Sequence, residues 1–443
     1  MIANPSTWPK DDPPLASIGS LTVQANIWDY IRDHGLVLPL VALNKPRVYT
    51  AEATDGSSNF RLSVSSSGSG SSPVIGYLRI DDGNAHVVMP KLKADFRAKI
   101  VTQDQGDAAK LIVDAQGTYV AQPITAHLVG GALLSLGDAT HPWPVDLKMA
   151  NGPTHVALKG TLEDPLALKG ANVILQLSGP DMGLLEHLVG FPIPTTPAYQ
   201  IAGRLDFEGL EKIRFEDFRG RLGNSDIAGT IAEQPSGTEQ NGKTKPVVTM
   251  DLRSDRVALA DLNGFIGGEP GRTNTPNATS EQRAKVAQAN ASPKLLPDTP
   301  ISVPRLNWAD IHLRYRGAHI KGRSVPLDDL EVVLDIIGGR ITVHPVSFGV
   351  GKGRLLANID LTPESGKNVR AKVDLRLQNL DVSRLMAATH TFQGAGSISG
   401  IGAIDASGDS LASLMANGNG GMKWISKGGG YWSGCDKALK GST

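Results

Sequence analysis

The sequence predicts a mainly β protein, in which a long antiparallel meander sheet is built from repeats that also contain short helices. Three observations predict it: apolar and polar residues alternate strictly in many segments, glycine-containing turns separate those segments, and the chain has 50 glycines but only 5% aromatic residues. Successive side chains of a strand point to opposite faces, so a sheet with one dry and one wet face gives a period of two.

Four segments show this period most clearly: residues 92–100, 199–207, 354–361 and 369–378. In the last of them, apolar residues alternate with arginine, lysine, aspartate and glutamine. We expect nine apolar positions of these segments to line a groove or to form a core, and the pattern does not choose between the two: Leu92, Phe96, Ile201, Leu205, Phe207, Ile359, Val373, Leu375 and Leu377.

Short turn signals separate the predicted strands. Asp82-Gly83, Gly338-Gly339 and residues 349–353 are predicted to close hairpins, because glycine adopts positive φ at low steric cost. The acidic pairs Asp81-Asp82 and Asp328-Asp329 are interpreted as solvated turn residues, since aspartate favours turn geometry.

Helix signals are few and short. Residues 175–190, 251–267 and 374–388 each pass from a strand through a polar turn into leucine-rich helical residues, which indicates an internal repeat. A further helix is predicted at 409–417, with Asp409 as its N-terminal cap and Gly418 after its end. Residues 26–34 are a fifth candidate.

Composition divides the chain into six predicted regions. Residues 63–73 are nearly all serine and glycine, and 269–300 lack large apolar residues, so we expect a flexible loop and a disordered linker there. The full division is 1–62 (N-terminal strands and a short helix), 63–73 (loop), 74–268 (first β-repeat region), 269–300 (linker), 301–424 (second β-repeat region) and 425–443 (atypical tail).

Charge and cysteine content exclude several classes of protein. Lysine plus arginine and aspartate plus glutamate both total 44, so no excess of cations favours nucleic acid as a partner. The one cysteine, Cys435, excludes an internal disulfide and a cysteine-built metal site. No transmembrane helix or signal peptide is expected, because the most apolar stretch, residues 36–43, is far shorter than the ~20 residues that span a bilayer.

One stretch of the sequence matches the residue pattern of a catalytic motif. Residues 237–244 fit the P-loop pattern, but Pro235 interrupts the approach, and Pro246 with a strand-like segment stands where the phosphate-binding helix would begin. We therefore predict a polar hairpin loop. Ser397 and Ser399 lack the spacing of a nucleophile elbow, and the ten histidines lack zinc-protease spacing. No catalytic residue, metal or cofactor is predicted, and the chain is expected not to be an enzyme.

Several segments resemble the AsmA family. They include residues 44–48, the turn at 53–60 in which Phe60 takes the place of a usual tryptophan, and the repeats at 164–190, 196–203, 220–229 and 326–360. The resemblance runs from about residue 3 to about residue 424. Its motifs are structural.

The resemblance implies a periplasmic sheet curved into a taco-like groove, an inner-membrane anchor that is missing from this sequence, and a part in outer-membrane biogenesis. It also implies phospholipid as cargo, with the acyl chains on the apolar face of the groove. Two alternatives stay open at this point: a structural or adhesin-like β-sandwich without lipid, and a P-loop nucleotide hydrolase.

Overall fold

A computed structural model describes most of the chain. The described residues are 1–5, 8–9, 11–26, 37–53, 57–60, 74–103, 109–137, 141–165, 169–189, 193–209, 212–237, 239–240, 243–266, 280, 284, 308–321, 326–364, 368–381, 392–394, 396–427 and 430–432. They form two compact units: unit 1 is Met1–Leu177 with Leu205–Leu210, and unit 2 is Ser178–Arg204 with Glu211–Thr443.

Unit 1 is built from strands that pair mainly with their neighbours in the chain. The pairs β4–β7, β7–β8, β8–β9, β9–β10, β10–β11 and β11–β12 follow one another, and β1 adds to β4. A smaller sheet contains β2, β3, β5 and β6. The strands are β1 (Ala16–Ser17), β2 (Ser20–Asn26), β3 (Val37–Asn44), β4 (Arg47–Ala51), β5 (Val74–Ile75), β6 (Leu78–Asp81), β7 (Gly83–Met89), β8 (Ala94–Gln103), β9 (Lys110–Tyr119), β10 (Gln122–Gly130), β11 (Trp143–Asn151) and β12 (Thr154–Asp164).

Unit 2 contains a longer run of the same kind. Two strands, β13 (Lys169–Gly179) and β14 (Tyr199–Phe207), are divided between the units. The others are β15 (Ile213–Leu222), β16 (Ser225–Gln234), β17 (Glu239–Gln240), β18 (Lys243–Thr244), β19 (Val247–Ala258), β20 (Asp310–Lys321), β21 (Pro326–Ile337), β22 (Arg340–Val350), β23 (Gly353–Pro363), β24 (Val369–Asp381), β25 (Phe392–Gly394), β26 (Ser397–Gly408), β27 (Asn419–Lys427) and β28 (Gly430–Trp432).

Helices in the described residues are short. The α-helices with described bounds are α1 (Glu186–Val189) and α2 (Leu411–Ala416), the 3-10 turns are Pro90–Leu92, Leu133–Gly137, Met182–Leu185 and Leu259–Ile266, and Ser280 and Ala284 are also helical. The predicted fold class, a mainly β meander sheet with short helices, is therefore confirmed. The curvature of that sheet into a groove stays a prediction.

Two pairings in these runs depart from the predicted antiparallel order. β4 and β7 run parallel, and so do β19 and β20. A tight hairpin joins only antiparallel strands, whereas parallel neighbours need a long crossover connection. The chain supplies such connections, since 31 residues (52–82) separate β4 from β7 and 51 residues (259–309) separate β19 from β20. Local alternation carries no information about this direction.

Two of the three predicted hairpin turns are confirmed. Gly338 and Gly339 have φ of 59° and 84° and join β21 to β22, and Gly351, with φ of 64°, lies in the turn between β22 and β23. The prediction at Asp82-Gly83 was wrong. β6 pairs with β3 and β7 pairs with β4, so this step carries the chain from one sheet to another.

The prediction that Asp328-Asp329 lies at a turn was also wrong. Both residues lie inside β21, where the register against β22 shifts between Asp328 and Glu331. Asp329 takes the extra position of this bulge with a φ of 52°. Aspartate tolerates the left-handed region, and for that reason its sequence signal does not distinguish a bulge from a turn.

The predicted helical repeat is confirmed in part. β13 ends at Gly179 and is followed by Met182–Leu185 and α1, as expected for residues 175–190. In residues 251–267 a 3-10 turn follows β19 directly, without the predicted polar turn. The third repeat helix and the candidate at 26–34 lie outside the described residues, apart from the strand residues at their starts.

The helix predicted at 409–417 is present as α2, but its cap was assigned to the wrong residue. Ser410 is the N-cap. Its hydroxyl accepts a hydrogen bond from the Ser413 amide, and the Ser413 hydroxyl accepts one from the Ser410 amide. The backbone of Ser410 is extended, with φ of −144°, and this places its short side chain over the first turn. Asp409 supports the cap by accepting from the Ser413 hydroxyl at 3.1 Å.

The predicted region boundaries stay predictions. Residues 63–73 lie outside the described residues, as do 269–300 apart from Ser280 and Ala284. Of the tail predicted to begin at 425, the structure describes 425–427, where β27 ends, and 430–432, which form β28.

Candidate functional site: a one-sided apolar sheet

The sheet of unit 2 carries an uninterrupted row of apolar residues. Directly opposed residues on paired strands project from the same face. From β15 to β27, each of ten neighbouring strands contributes one residue to the row: Phe215, Ile231, Met250, Leu313, Leu334, Val343, Ile359, Val373, Ile404 and Gly420.

A second row lies on the same face, two residues from the first on eight of the ten strands and three residues from it across the bulges in β15 and β22. Its members are Phe218, Gly229, Leu252, Tyr315, Val332, Val346, Ala357, Leu375, Gly402 and Met422. We call this face of the sheet, formed by the two rows and by the residues that continue them along each strand, the apolar face of unit 2. The two rows show that apolar residues stay in register through ten strands.

Most of the apolar face is neither fully buried nor fully exposed. The residues from Met250 to Val373 in the first row are half-buried, and Ile404 at its end is 38% exposed. A closed sandwich core would instead bury such residues against a second sheet. Within the described residues of unit 2, the smaller sheets have only two strands each, which is too few to cover ten.

A β-bulge in β15 sets the start of both rows. Phe215 lies opposite Ile231 and Phe218 lies opposite Gly229, with the extra residue Asp217 at a φ of 49°. The two phenylalanine rings stack with centroids 5.0 Å apart. In a regular strand, a spacing of three would place them on opposite faces, so the bulge is what brings both rings to the apolar face.

The opposite face of unit 2 is polar and carries ion pairs between strands. The guanidinium of Arg370 donates two hydrogen bonds to Asp405, at 2.9 and 2.7 Å, and Arg340 donates to Asp360 at 2.8 Å. These hydrogen bonds lower the pKa of both carboxyl groups. Exposed pairs of this kind contribute little to stability, but they show that this face of the sheet is the one in contact with solvent.

Unit 1 has an apolar face of the same design. Its central row runs through Gly83, Ile100, Val113, Leu128, Leu147 and Leu158. Trp143 is buried at one end of this face and donates its indole N–H to the carbonyl oxygen of Ala132 at 3.1 Å. Gly130 makes this packing possible, because a Cβ there would lie 1.9 Å from the Trp143 ring.

Short helices cover parts of the apolar face of unit 2. Leu262, from the 3-10 turn after β19, packs against the buried Val257, Ile320 and Leu330. Leu414 of α2 packs in the same way against residues of β24 and β26. These two helical segments therefore cover apolar residues near the ends of strands, and the residues of the first row from Met250 to Val373 stay half-buried.

Asp261 ties the 3-10 turn Leu259–Ile266 to the turn between β15 and β16. Its Oδ2 accepts hydrogen bonds from the amide of Asn224 at 2.8 Å and from the amide and hydroxyl of Ser225 at 3.0 and 2.8 Å. The residue is 0% exposed, and burial raises the pKa of its carboxyl group despite these bonds. Oδ1 has no hydrogen-bond partner in the described chain.

Similar hydrogen bonds hold the short helix of the preceding repeat. The Asp181 Oδ1 accepts from the amides of Gly183 at 2.8 Å and Thr196 at 2.7 Å, and the Thr196 hydroxyl accepts from the Met182 amide at 2.8 Å. In both repeats an aspartate after a strand anchors a short helix to a neighbouring turn or loop. The anchoring bonds are made by residues that sequence patterning identified only as polar.

The structure distributes the nine predicted groove or core residues over both units. Phe96 lies on β8 in the same face as Ile100, and Leu205 and Phe207 of β14 pack on the cluster around Trp143. Leu92 was predicted to lie on a strand, and it does not. It ends the 3-10 turn Pro90–Leu92 and is 43% exposed, because Lys93 takes a left-handed conformation before β8 begins.

The other predicted residues belong to unit 2. Ile201 of β14 is buried, Ile359 and Val373 are direct partners in the first row, and Leu375 belongs to the second row. Leu377 is buried in a cluster with Val350 and Leu380. Whether any of the nine contacts a ligand stays a prediction.

Sequence reasoning missed much of the apolar face. Met250 and Leu252 belong to an alternating segment, residues 247–253, whose period of two could have revealed them. Phe215 and Phe218 had no such signal, since the bulge between them breaks the period. Tyr315 could be placed only through its partners Leu252 and Val332.

The residues that match the P-loop pattern form a hairpin. Glu239 pairs with Thr244 and Gln240 pairs with Lys243, and β19 follows at Val247. The prediction of a hairpin at this site is confirmed for the residues that the structure describes. A phosphate-binding helix does not follow the loop, and therefore neither the helix N-terminus nor its amides are available to a phosphate.

We expect Lys243→Ala to leave nucleotide binding unchanged, because the hairpin offers no phosphate cradle. Isothermal titration with ATP and Mg²⁺, and a phosphate-release assay, should give no detectable affinity or turnover for either the parent chain or the variant. Turnover that is present in the parent and lost in Lys243→Ala would show that the loop is catalytic.

Several of the other candidate catalytic groups have structural partners. Ser397 and Ser399 lie on β26, and the Ser399 hydroxyl accepts from the Asn379 amide at 2.9 Å. His127, His312 and His319 each face an aspartate on the adjacent strand. No group of three or more potential metal ligands occurs in the described ranges. Within the same ranges, no helix is long and apolar enough to cross a membrane.

The fold and the face define a class of protein: a repetitive meander with one apolar and one polar surface in each unit. Comparison with known proteins gives the family, because the AsmA family model matches residues 41–438. The chain belongs to the AsmA family. This membership supports an envelope-associated role, and the family is not a known enzyme family.

One curated relative is AsmA family protein YhjG of Escherichia coli (strain K12). It is 30% identical to the chain over 318 residues, which cover 70% of the chain and 45% of the relative. The chain therefore spans less than half the length of the relative it matches. No solved structure gives a significant match.

Proposed function

We propose that this chain is a non-enzymatic envelope protein for outer-membrane biogenesis, and that it carries phospholipid along its apolar face. The observation that carries the proposal is the pair of apolar rows that stay in register across ten strands of unit 2 while most of their residues remain half-buried. An apolar surface of that extent is typical of a binding site.

The dimensions of the rows suit acyl chains. Neighbouring strands lie about 4.8 Å apart, so nine intervals give a row of roughly 43 Å. One leaflet of a bilayer has a hydrocarbon thickness of about 15 Å, which one acyl chain spans. An acyl chain of that length fits along a strand, since ten residues at about 3.3 Å each give roughly 33 Å, and several chains fit side by side along a row.

The driving force would be passive. Each CH₂ group that leaves water for the apolar face contributes about 0.8 kcal/mol, and no bond needs to form or break. Head groups would stay in water beyond the ends of the strands. In this proposal the protein acts in the periplasm, attached to the inner membrane by an anchor in the full-length protein.

Native mass spectrometry of the purified chain tests this function. We expect masses of the chain plus one or more phospholipids, and solvent extraction of the same sample should give intact phospholipid at about one molecule per chain or more. A chain that is folded and free of lipid, even after incubation with phospholipid vesicles, would contradict the proposal. That result would favour the structural or adhesin-like alternative.

A further inference from the structure

Glu233 is a carboxylate on the apolar face of unit 2. It is the direct partner of Ile213 on β15 and of Val248 on β19. The row continues from Val248 through Ile311, Ile336, Ile341, Leu361, Ala371 and Ala406. Glu233 thus takes a position that each of these other strands fills with an apolar residue.

Within the residues that the structure describes, the Glu233 carboxylate has no hydrogen bond or ion pair. Its pKa is raised, and desolvation by burial is the cause. The carboxylates of the polar face differ, since Asp360 and Asp405 each accept from an arginine that lowers their pKa. A partly desolvated carboxylate without a cation is unfavourable, and such groups are enriched at functional sites.

Glu233 also lies at one end of its strand. It is the residue before the last one of β16, whereas Ser225, the first residue, contacts Asp261. At about 3.3 Å per residue, the two ends of β16 are roughly 30 Å apart. Glu233 is therefore distant from the 3-10 turn that covers the Ser225 end, and it lies where an acyl chain on the face would join its head group.

We propose that Glu233 binds the primary ammonium group of a zwitterionic phospholipid head group whose acyl chains lie on the apolar face. This inference rests on the proposed function. A carboxylate and an ammonium group form a charge-assisted hydrogen bond, which would relieve the desolvated charge of Glu233. A head group that is only anionic offers no such donor and is repelled.

A lipid competition measures this preference. The full chain is incubated with vesicles of phosphatidylethanolamine and phosphatidylglycerol in equal amounts, with identical acyl chains, and the bound lipids are counted by mass spectrometry. We expect the parent chain to enrich phosphatidylethanolamine about three- to fivefold over the vesicle composition, as a partly screened ion pair of roughly 0.6–1 kcal/mol would give. In Glu233→Gln the enrichment should disappear, and the amount of bound phosphatidylglycerol should not fall, because the amide neither binds the ammonium group nor repels an anionic lipid.

Glu331→Gln is the matched control, because Glu331 lies near Arg354 on the polar face. It should keep the enrichment of the parent chain. Bound lipid with no enrichment in the parent, or with equal enrichment in parent and Glu233→Gln, would overturn this inference and leave the proposed function standing. A parent chain that binds no lipid would overturn both.

Discussion

Leu375→Asp is expected to remove bound phospholipid from the chain or to reduce it several-fold. Leu375 lies in the second row of the apolar face between Ala357 and Gly402, and it also packs on the buried cluster of Val350, Leu377 and Leu380. A carboxylate at this point would interrupt the row and would be partly desolvated. We therefore also expect the free energy of unfolding to fall by about 2–4 kcal/mol.

Lipid extraction and urea unfolding measure the two effects separately. Gln378→Asp is the control, since Gln378 is exposed on the polar side of the same strand and gains the same charge. Ile404→Asp separates lipid binding from unfolding. The Ile404 side chain belongs to the first row but is already 38% exposed, so we expect this variant to fold. Normal lipid recovery in folded Leu375→Asp and Ile404→Asp would count against the apolar face as the carrier surface.

Asp261→Ala is expected to cause the second large effect, a loss of about 2–4 kcal/mol in the free energy of unfolding. The change removes the acceptor of the Asn224 amide, the Ser225 amide and the Ser225 hydroxyl, and it leaves the two Ser225 donors buried without that partner. It also releases the 3-10 turn whose Leu262 covers Val257 and Ile320. Urea unfolding followed by circular dichroism measures the change.

Asp255→Ala is the matched control, because Asp255 is exposed on the strand just before this turn and should tolerate the change. The pH dependence gives an independent check. Burial raises the folded-state pKa of Asp261, so the folded state binds more protons there than the unfolded state. The Asp261 contribution to stability should thus decrease as pH rises from about 4 through the folded pKa, and Asp261→Asn should lack this decrease.

The contrast between the two faces of the sheet explains why large effects are expected at Leu375 and Asp261 but not on the polar face. Polar-face pairs such as Arg370–Asp405 join strands whose side chains are solvated, and their loss should have small effects. Asp261 and Leu375 act where water is partly or wholly excluded, so an unpaired donor or a new charge is not compensated by solvent.

Much of this fold could be predicted from the sequence, because a strand with one dry face records its orientation residue by residue. Val373, Leu375 and Leu377 alternate with charged residues, and their burial alternates in the same way. The glycine pair Gly338-Gly339 gave a hairpin because both residues take positive φ, which is costly for other residues. The repeat helix at 182–189 followed from leucines placed after a polar turn.

The sequence alone determined the clearly alternating strands, two of the three predicted hairpin turns and the presence of one apolar side. Only the tertiary structure decided that β19 pairs in parallel with β20 and that a bulge brings Phe215 and Phe218 to one face. It alone also placed Glu233 in an apolar row. The reason is physical: alternation is a local property of one strand, whereas partner, direction and register depend on hydrogen bonds between segments that are distant in the chain.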